Sequence, residues 1–94
     1  MEKILENTEK ANELAFIFKA LSHPIRVQMI AGLIKNDECN VTKMVENLKA
    51  SQPTISQHIN VLKSSGIVKG YRKGNQICYK IDNDTVRKIY SVIS

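Results

Sequence analysis

Two short amphipathic segments separated by only three residues constrain the fold of this chain more than any other feature of its sequence. In the first segment, apolar residues recur at the spacing of one helix face: Val41, Met44, Val45 and Leu48. Before the second, Ser51 is a suitable N-cap and Pro53 falls in the first turn. Its apolar stripe is formed by Ile55, Ile59 and Leu62. Two such helices with so short a break predict a helix-turn-helix.

After this pair the periodicity changes from helical to alternating. Gly66 is well placed to end the second helix, and residues 67–72 and 76–81 are two β-rich runs joined by Lys73-Gly74-Asn75. This arrangement predicts a hairpin. Its second strand is expected to divide into two faces, one of Ile77, Tyr79 and Ile81, the other of Gln76, Cys78 and Lys80. A last helix, capped by Asp82 or Asn83, carries the stripe Val86, Ile89, Tyr90 and Ile93.

Two further helical patterns precede the pair. One covers residues 6–21, and the next begins at Pro24 and carries Val27, Ile30 and Ile34 on one stripe. The predicted order is therefore α-α-α-α-β-β-α, a mainly α fold with a β-hairpin wing, which is a winged helix-turn-helix. No repeat, low-complexity stretch or linker interrupts the 94 residues, so we expect a single domain over 1–94.

The charge of +5 is distributed unevenly. Residues 1–42 hold five cations and six anions, whereas residues 43–94 hold nine cations and three anions. No acidic residue occurs between Asn47 and Ile81. A one-sided basic segment in a small domain favours a polyanionic partner such as nucleic acid, although an ordinary solvated face has a similar composition.

Several classes of protein are disfavoured by what the sequence lacks. It has no apolar run long enough for a membrane span and no pattern of a secretory signal. Two cysteines do not make a disulfide framework, so we expect a cytoplasmic protein. There is no phosphate-binding glycine loop and no carboxylate pair placed for acid–base chemistry. We therefore expect neither an enzyme nor a cofactor.

Candidate DNA contacts fall on the second helix of the pair and on the hairpin tip. The helix face opposite the apolar stripe is free of acids and offers short or bidentate hydrogen-bonding groups. Its members are Gln52, Pro53, Thr54, Ser56, Gln57 and Asn60. The hairpin adds a basic tip suited to phosphates: Arg72, Lys73, Asn75 and Gln76. A winged-helix module that contacts proteins and does not read DNA is the alternative.

Four segments of the chain resemble the ArsR/SmtB family: residues 21–26, 51–59, 66–68 and 79–81. Members of this family are homodimeric bacterial repressors with a winged-helix fold, and they leave operator DNA when an effector binds. The resemblance implies that double-stranded DNA with an inverted repeat is the partner. It also implies that the first and last helices pair across a two-fold axis. The DNA-facing residues that it implies are Gln52, Thr54, Ser56 and Gln57.

The sequence departs from the metal-sensing members of the family. It has no cysteine pair at the start of the third helix and no histidine in the last helix, so no metal ligands are assigned. His23 and His58 are expected to cap or pack. Cys39 and Cys78 are either small apolar side chains or a thiol switch, since the segment before the third helix can run beside the second wing strand.

Overall fold

A computed structural model of the protein describes residues 8–36 and 39–93. Its elements are α1 (Thr8–Leu21), α2 (Pro24–Asn36), β1 (Cys39–Asn40), α3 (Val41–Leu48), α4 (Gln52–Ser64), β2 (Val68–Lys73), β3 (Gln76–Ile81) and α5 (Asp84–Ile93). This order confirms the predicted winged helix-turn-helix and adds the two-residue strand β1. The predicted start of the first helix at Glu6 lies outside the described residues. None of the described helices is long and apolar enough to cross a membrane.

Three strands form one antiparallel sheet in the order β1-β3-β2. In the hairpin, Val68 pairs with Ile81 and Lys73 pairs with Gln76, which leaves Gly74 and Asn75 as a two-residue turn. Gly74 has a φ of +64°, which suits the first central position of a hairpin turn, where glycine is preferred. The first wing strand thus begins and ends one residue later than the sequence predicts.

The hydrophobic core lies between α2, α4, the base of the wing and α5. Its fully buried side chains are Ile30, Leu33, Ile55, Ile59, Leu62, Ile67 and Val86. The stripes expected for α4 and α5 therefore supply core residues as predicted. The α2 stripe is partly wrong, because Val27 is exposed and Met29 is buried in its place. The buried face of α2 is rotated away from Val27 because its core partners lie on the side of Met29 and Leu33.

The two faces of β3 do not separate cleanly into buried and exposed. Ile81 is buried and Tyr79 is half-buried, but Ile77 is 53% exposed because the wing tip extends beyond the helices. Cys78, on the opposite face, is only 6% exposed, since the central strand is flanked there by Asn40 and Tyr71. The alternation of residues predicted which side chains share a face of β3. Whether a side chain is buried depends on whether the helices extend far enough along the wing to cover it.

Candidate DNA-binding site

The helix-turn-helix is held by two side-chain caps and one left-handed residue. Asn40 caps α3, its Oδ1 accepting from the backbone N–H of Lys43 at 2.9 Å. Ser51 caps α4, its hydroxyl accepting from the N–H of Thr54 at 3.3 Å. Between the helices, Lys49 ends α3 with φ 53° and ψ 40°, the left-handed conformation that reverses the chain. These local devices set α4 at its angle to α3.

The polar face of α4 is presented to solvent as the sequence predicts. Gln52, Pro53, Gln57 and Asn60 are exposed, while Thr54 and Ser56 are half-buried at the edges of this row. The Ser51 hydroxyl donates to Thr54 Oγ1 at 2.8 Å, so the Thr54 hydroxyl keeps its own proton for an external acceptor.

The wing tip carries the remaining candidates, and all of them are exposed: Arg72, Lys73, Asn75 and Gln76. Gln76 has a structural partner as well, because its Oε1 accepts from Asn40 Nδ2 at 2.7 Å. Asn40 therefore connects the N-terminus of α3 to the wing. Basic side chains and hydrogen-bonding groups on α4 and the wing are thus held within one framework, with no acid between positions 47 and 81 to repel phosphate.

A second hydrogen-bonded junction lies behind α4, and no pattern in the sequence predicted it. Arg26 of α2 donates from Nε to His58 Nδ1 at 3.0 Å and from its Nη1 atom to the carbonyl oxygen of Ala20 at 3.1 Å. The His58 ring, 8% exposed, lies 4.4 Å from the His23 ring, centroid to centroid. Burial lowers the pKa of His58 below its ordinary value of 6.5, and the charges of His23 and Arg26 lower the pKa further.

The cysteine segments lie side by side, but the strand register separates the two positions. In the β1–β3 pair, Cys39 is opposite Tyr79, and Asn40 is opposite Cys78. Directly opposed residues share a face and successive residues alternate, so positions 39 and 78 belong to opposite faces of the sheet. Cys78 is a buried free thiol. The expected proximity of the segments is observed, whereas the register opposes a direct bridge while β1 stays paired with β3.

Among the described residues, no group of three or more histidine, cysteine, aspartate or glutamate side chains could hold a metal ion. His23 Nδ1 accepts from the N–H of Ile25 at 3.1 Å, and His58 Nδ1 accepts from Arg26. Both imidazoles therefore serve structural hydrogen bonds, in agreement with the capping and packing roles expected for them.

A helix-turn-helix with an exposed polar row on its second helix, followed directly by a basic β-hairpin, defines a winged helix-turn-helix DNA-binding protein. Comparison with known sequences assigns the family. The profile described as "Bacterial regulatory protein, arsR family" matches residues 23–69. The chain belongs to this family and is a DNA-binding transcriptional repressor of the ArsR type, not an enzyme.

Individual relatives are similar to this protein over almost its whole length. An HTH-type transcriptional regulator of Methanocaldococcus jannaschii is 40% identical over 85 residues, which are 90% of this chain and 96% of the relative. The crystal structure of the transcriptional repressor PagR of Bacillus anthracis superposes with a TM-score of 0.86 at 30% identity, covering 94% of this chain and all of PagR. The repressor BigR of Xylella fastidiosa gives a TM-score of 0.76 at 33% identity, covering 93% and 92% of the two chains.

Proposed function

We propose that the protein is a cytoplasmic homodimeric repressor that inserts α4 of each protomer into the major groove of an inverted-repeat operator. The observation that carries this proposal is the exposed, acid-free row on α4, directly opposite a fully buried stripe. Amide side chains such as Gln57 and Asn60 match the donor and acceptor pattern of an adenine edge. The wing tip, with Arg72 and Lys73, supplies phosphate contacts beside the groove.

The dimer would form through α1 and α5, whose exposed apolar side chains are not covered by any of the described residues of the protomer. Phe16 and Phe18 on α1 and Val92 and Ile93 on α5 are more than half exposed. Apolar side chains of this size favour burial against a second copy. A two-fold axis through these helices places the two recognition helices about 34 Å apart, one turn of DNA, which is the spacing that an inverted repeat requires. Bound in this way, the dimer occludes the promoter.

A salt titration tests the DNA-binding part of the proposal. We expect binding to a random duplex to weaken steeply between 50 and 200 mM salt, because phosphate neutralisation releases counterions. Arg72→Ala should weaken binding to random and selected duplexes alike and should lower the salt slope by about one. A loss confined to the selected duplex would contradict a backbone role for the wing. Absence of any duplex affinity at low salt would favour the protein-contact alternative.

We include in the proposal the hypothesis that Cys39 and Cys78 form a thiol switch. Such a switch has one structural requirement. Support comes from the side-by-side placement of β1 and β3, which hold Cys39 and Cys78. Because the register assigns the two positions to opposite faces, a bridge requires β1 to leave its partner strand. Non-reducing mass spectrometry after mild oxidation should then detect a 39–78 crosslink, together with reduced operator affinity. If no crosslink forms and affinity is unchanged, the thiol switch is wrong.

A further inference from the structure

Three side chains meet where the C-terminal end of α1, the start of α2 and the recognition helix α4 come together. We call His23, Arg26 and His58 the Arg26 junction. Arg26 is its centre, since its guanidinium donates both to His58 on α4 and to the Ala20 carbonyl on α1. One residue of α2 thus connects the recognition helix to α1, the helix that the proposed dimer interface uses.

The hydrogen bonds of the Arg26 junction require a neutral His58. Arginine has donors only, so the Nδ1 atom that receives the Arg26 bond must carry a lone pair and no proton. A protonated imidazole has two donors and no acceptor, so protonation would remove this bond. The same holds for His23, whose Nδ1 accepts from the N–H of Ile25 at the start of α2.

The charged surroundings also oppose protonation of His58. His23 and Arg26 adjoin it, and Lys19 of α1 lines a cavity together with Arg26 and Val61 of α4. None of the described residues that line this cavity is acidic. The elements α3 and β2 also pack on α4, and their charged side chains are all exposed: Lys43, Glu46, Lys69, Arg72 and Lys73. On α1, which also packs on α4, Glu9 and Glu13 are exposed, so none of the described carboxylates is placed at the junction to stabilise an imidazolium.

We propose that Arg26 and His58 are positioning residues for the recognition helix, and that operator reading requires the neutral, hydrogen-bonded form of the Arg26 junction. This inference rests on the proposed function of α4. When His58 is protonated, the Arg26 bond is lost and two cations face each other behind α4, which shifts the helix relative to α1 and α2. Base contacts depend on α4 lying accurately in the groove, whereas phosphate attraction does not.

The direction of the pH dependence follows from the lowered pKa. At neutral pH, His58 is uncharged in both folded and unfolded chains, and the junction is intact. As the pH falls below 6.5, the unfolded chain takes up a proton before the folded chain does, so stability decreases. The junction opens when the pH falls through the folded pKa. We expect affinity for a selected operator to fall by about tenfold per protomer for each pH unit below that point. Affinity for random DNA should not fall, because an added positive charge favours phosphate binding.

The test compares the wild type with His58→Asn, whose Oδ1 lies near the position of Nδ1, accepts from Arg26 and does not titrate. A duplex is first selected from a random library at pH 7.5. The affinity of each protein for this selected duplex and for a random duplex is then measured from pH 7.5 to 5.5. We expect the wild type to lose selected-duplex affinity at low pH and His58→Asn to have a flat profile. Coinciding profiles would overturn the proposal. If His58→Asn does not fold, the NMR titration of the wild type described below decides.

Two further measurements separate this inference from the function on which it rests. His23→Asn removes a ring whose protonated form lowers the pKa of His58, so the loss of affinity should persist in this variant but begin at higher pH than in the wild type. In the free protein, NMR should show the His58 ring titrating below pH 6.5 together with amide shifts along α4. If no duplex binds at any pH, the proposed function fails and NMR alone decides: titration with α4 shifts supports the positioning role. Titration without them, or no titration, overturns it.

Discussion

At the residue scale, Gln57 and Gln76, two of the three exposed glutamines proposed to touch DNA, are not equivalent. Bidentate reading of adenine needs a free amide oxygen and a free amide nitrogen on one side chain. The Oε1 atom of Gln76 already accepts from Asn40. Gln57 projects from the middle of the exposed row on α4, between Pro53 and Asn60. Gln57 is therefore the side chain best placed for base recognition, and Gln76 is better suited to holding the wing.

Gln57→Ala should weaken binding to the selected operator by about 1–3 kcal/mol, because it removes one bidentate base contact. Competition binding against random duplex measures the effect, and the loss on random DNA should be much smaller. Gln28→Ala is the matched control, since Gln28 is an exposed glutamine on α2 outside the row. Equal losses on both duplexes would argue against base reading at position 57.

Local periodicity was sufficient to predict the row on α4 but not the junction behind it. The buried stripe of Ile55, Ile59 and Leu62 determines which positions face outward, and all of that information lies within one helix. The Arg26–His58 bond joins residues 32 positions apart. Its formation depends on the packing of α2 against α4, which no single-sequence pattern specifies.

At the scale of elements, the turn of the helix-turn-helix is the part under backbone strain. Lys49 is the one non-glycine residue of the described chain with a positive φ. The left-handed region costs an ordinary L-residue about 1 kcal/mol or more, and glycine avoids this cost. The conformation is nevertheless required, since it reverses the chain between α3 and the Ser51 cap of α4.

Lys49→Gly should therefore raise the free energy of unfolding by about 0.5–1 kcal/mol, in spite of the greater freedom of glycine in the unfolded chain. Urea denaturation followed by circular dichroism measures it. Lys63→Gly is the matched control, because Lys63 is also an exposed lysine but lies within α4, where glycine should destabilise by about 1 kcal/mol. Destabilisation by both substitutions would show that Lys49 has contacts worth more than its strain.

The sequence predicted the helices and the hairpin but missed β1. Two residues are too few to show alternation, and Cys39 and Asn40 become a strand only because β3 has an open edge beside them. The exposure of Ile77 has a similar origin. Alternation assigns it to the same face as Tyr79 and Ile81, yet only the body of the protein can bury that face, and the wing tip extends past it.

At the scale of the whole molecule, the described residues carry two different kinds of exposed surface. On α4 and the wing, the exposed residues are mostly polar or basic and none is acidic. On α1 and α5, they include apolar residues such as Phe16 at 58% and Val92 at 81%. In the proposed dimer, two copies would attach through α1 and α5 and would bind DNA through α4 and the wing. This division is the reason for expecting a dimer that reads two half-sites.

Val92→Glu should convert the proposed dimer to a monomer, because it places a charge in a surface that dimerisation would desolvate. Sedimentation equilibrium measures the mass, and operator affinity should fall sharply with the loss of the second half-site. Val27→Glu is the matched control, since Val27 is an exposed valine on α2. A dimer that survives Val92→Glu, or one that is disrupted equally by Val27→Glu, would argue against an interface through α5.

Asn40 has a consequence for how such a dimer tolerates changes in its DNA. It belongs to β1, caps α3 and hydrogen-bonds Gln76 of the wing, and α3 packs on α4, so the helix-turn-helix and the wing are connected within each protomer. The wing of a protomer then has little freedom to move independently of its helix-turn-helix when a half-site is displaced. One inserted base pair rotates a half-site by about 34° around the duplex axis. We therefore expect a change in the length of the spacer between the half-sites to reduce operator affinity more than a change of any single base does.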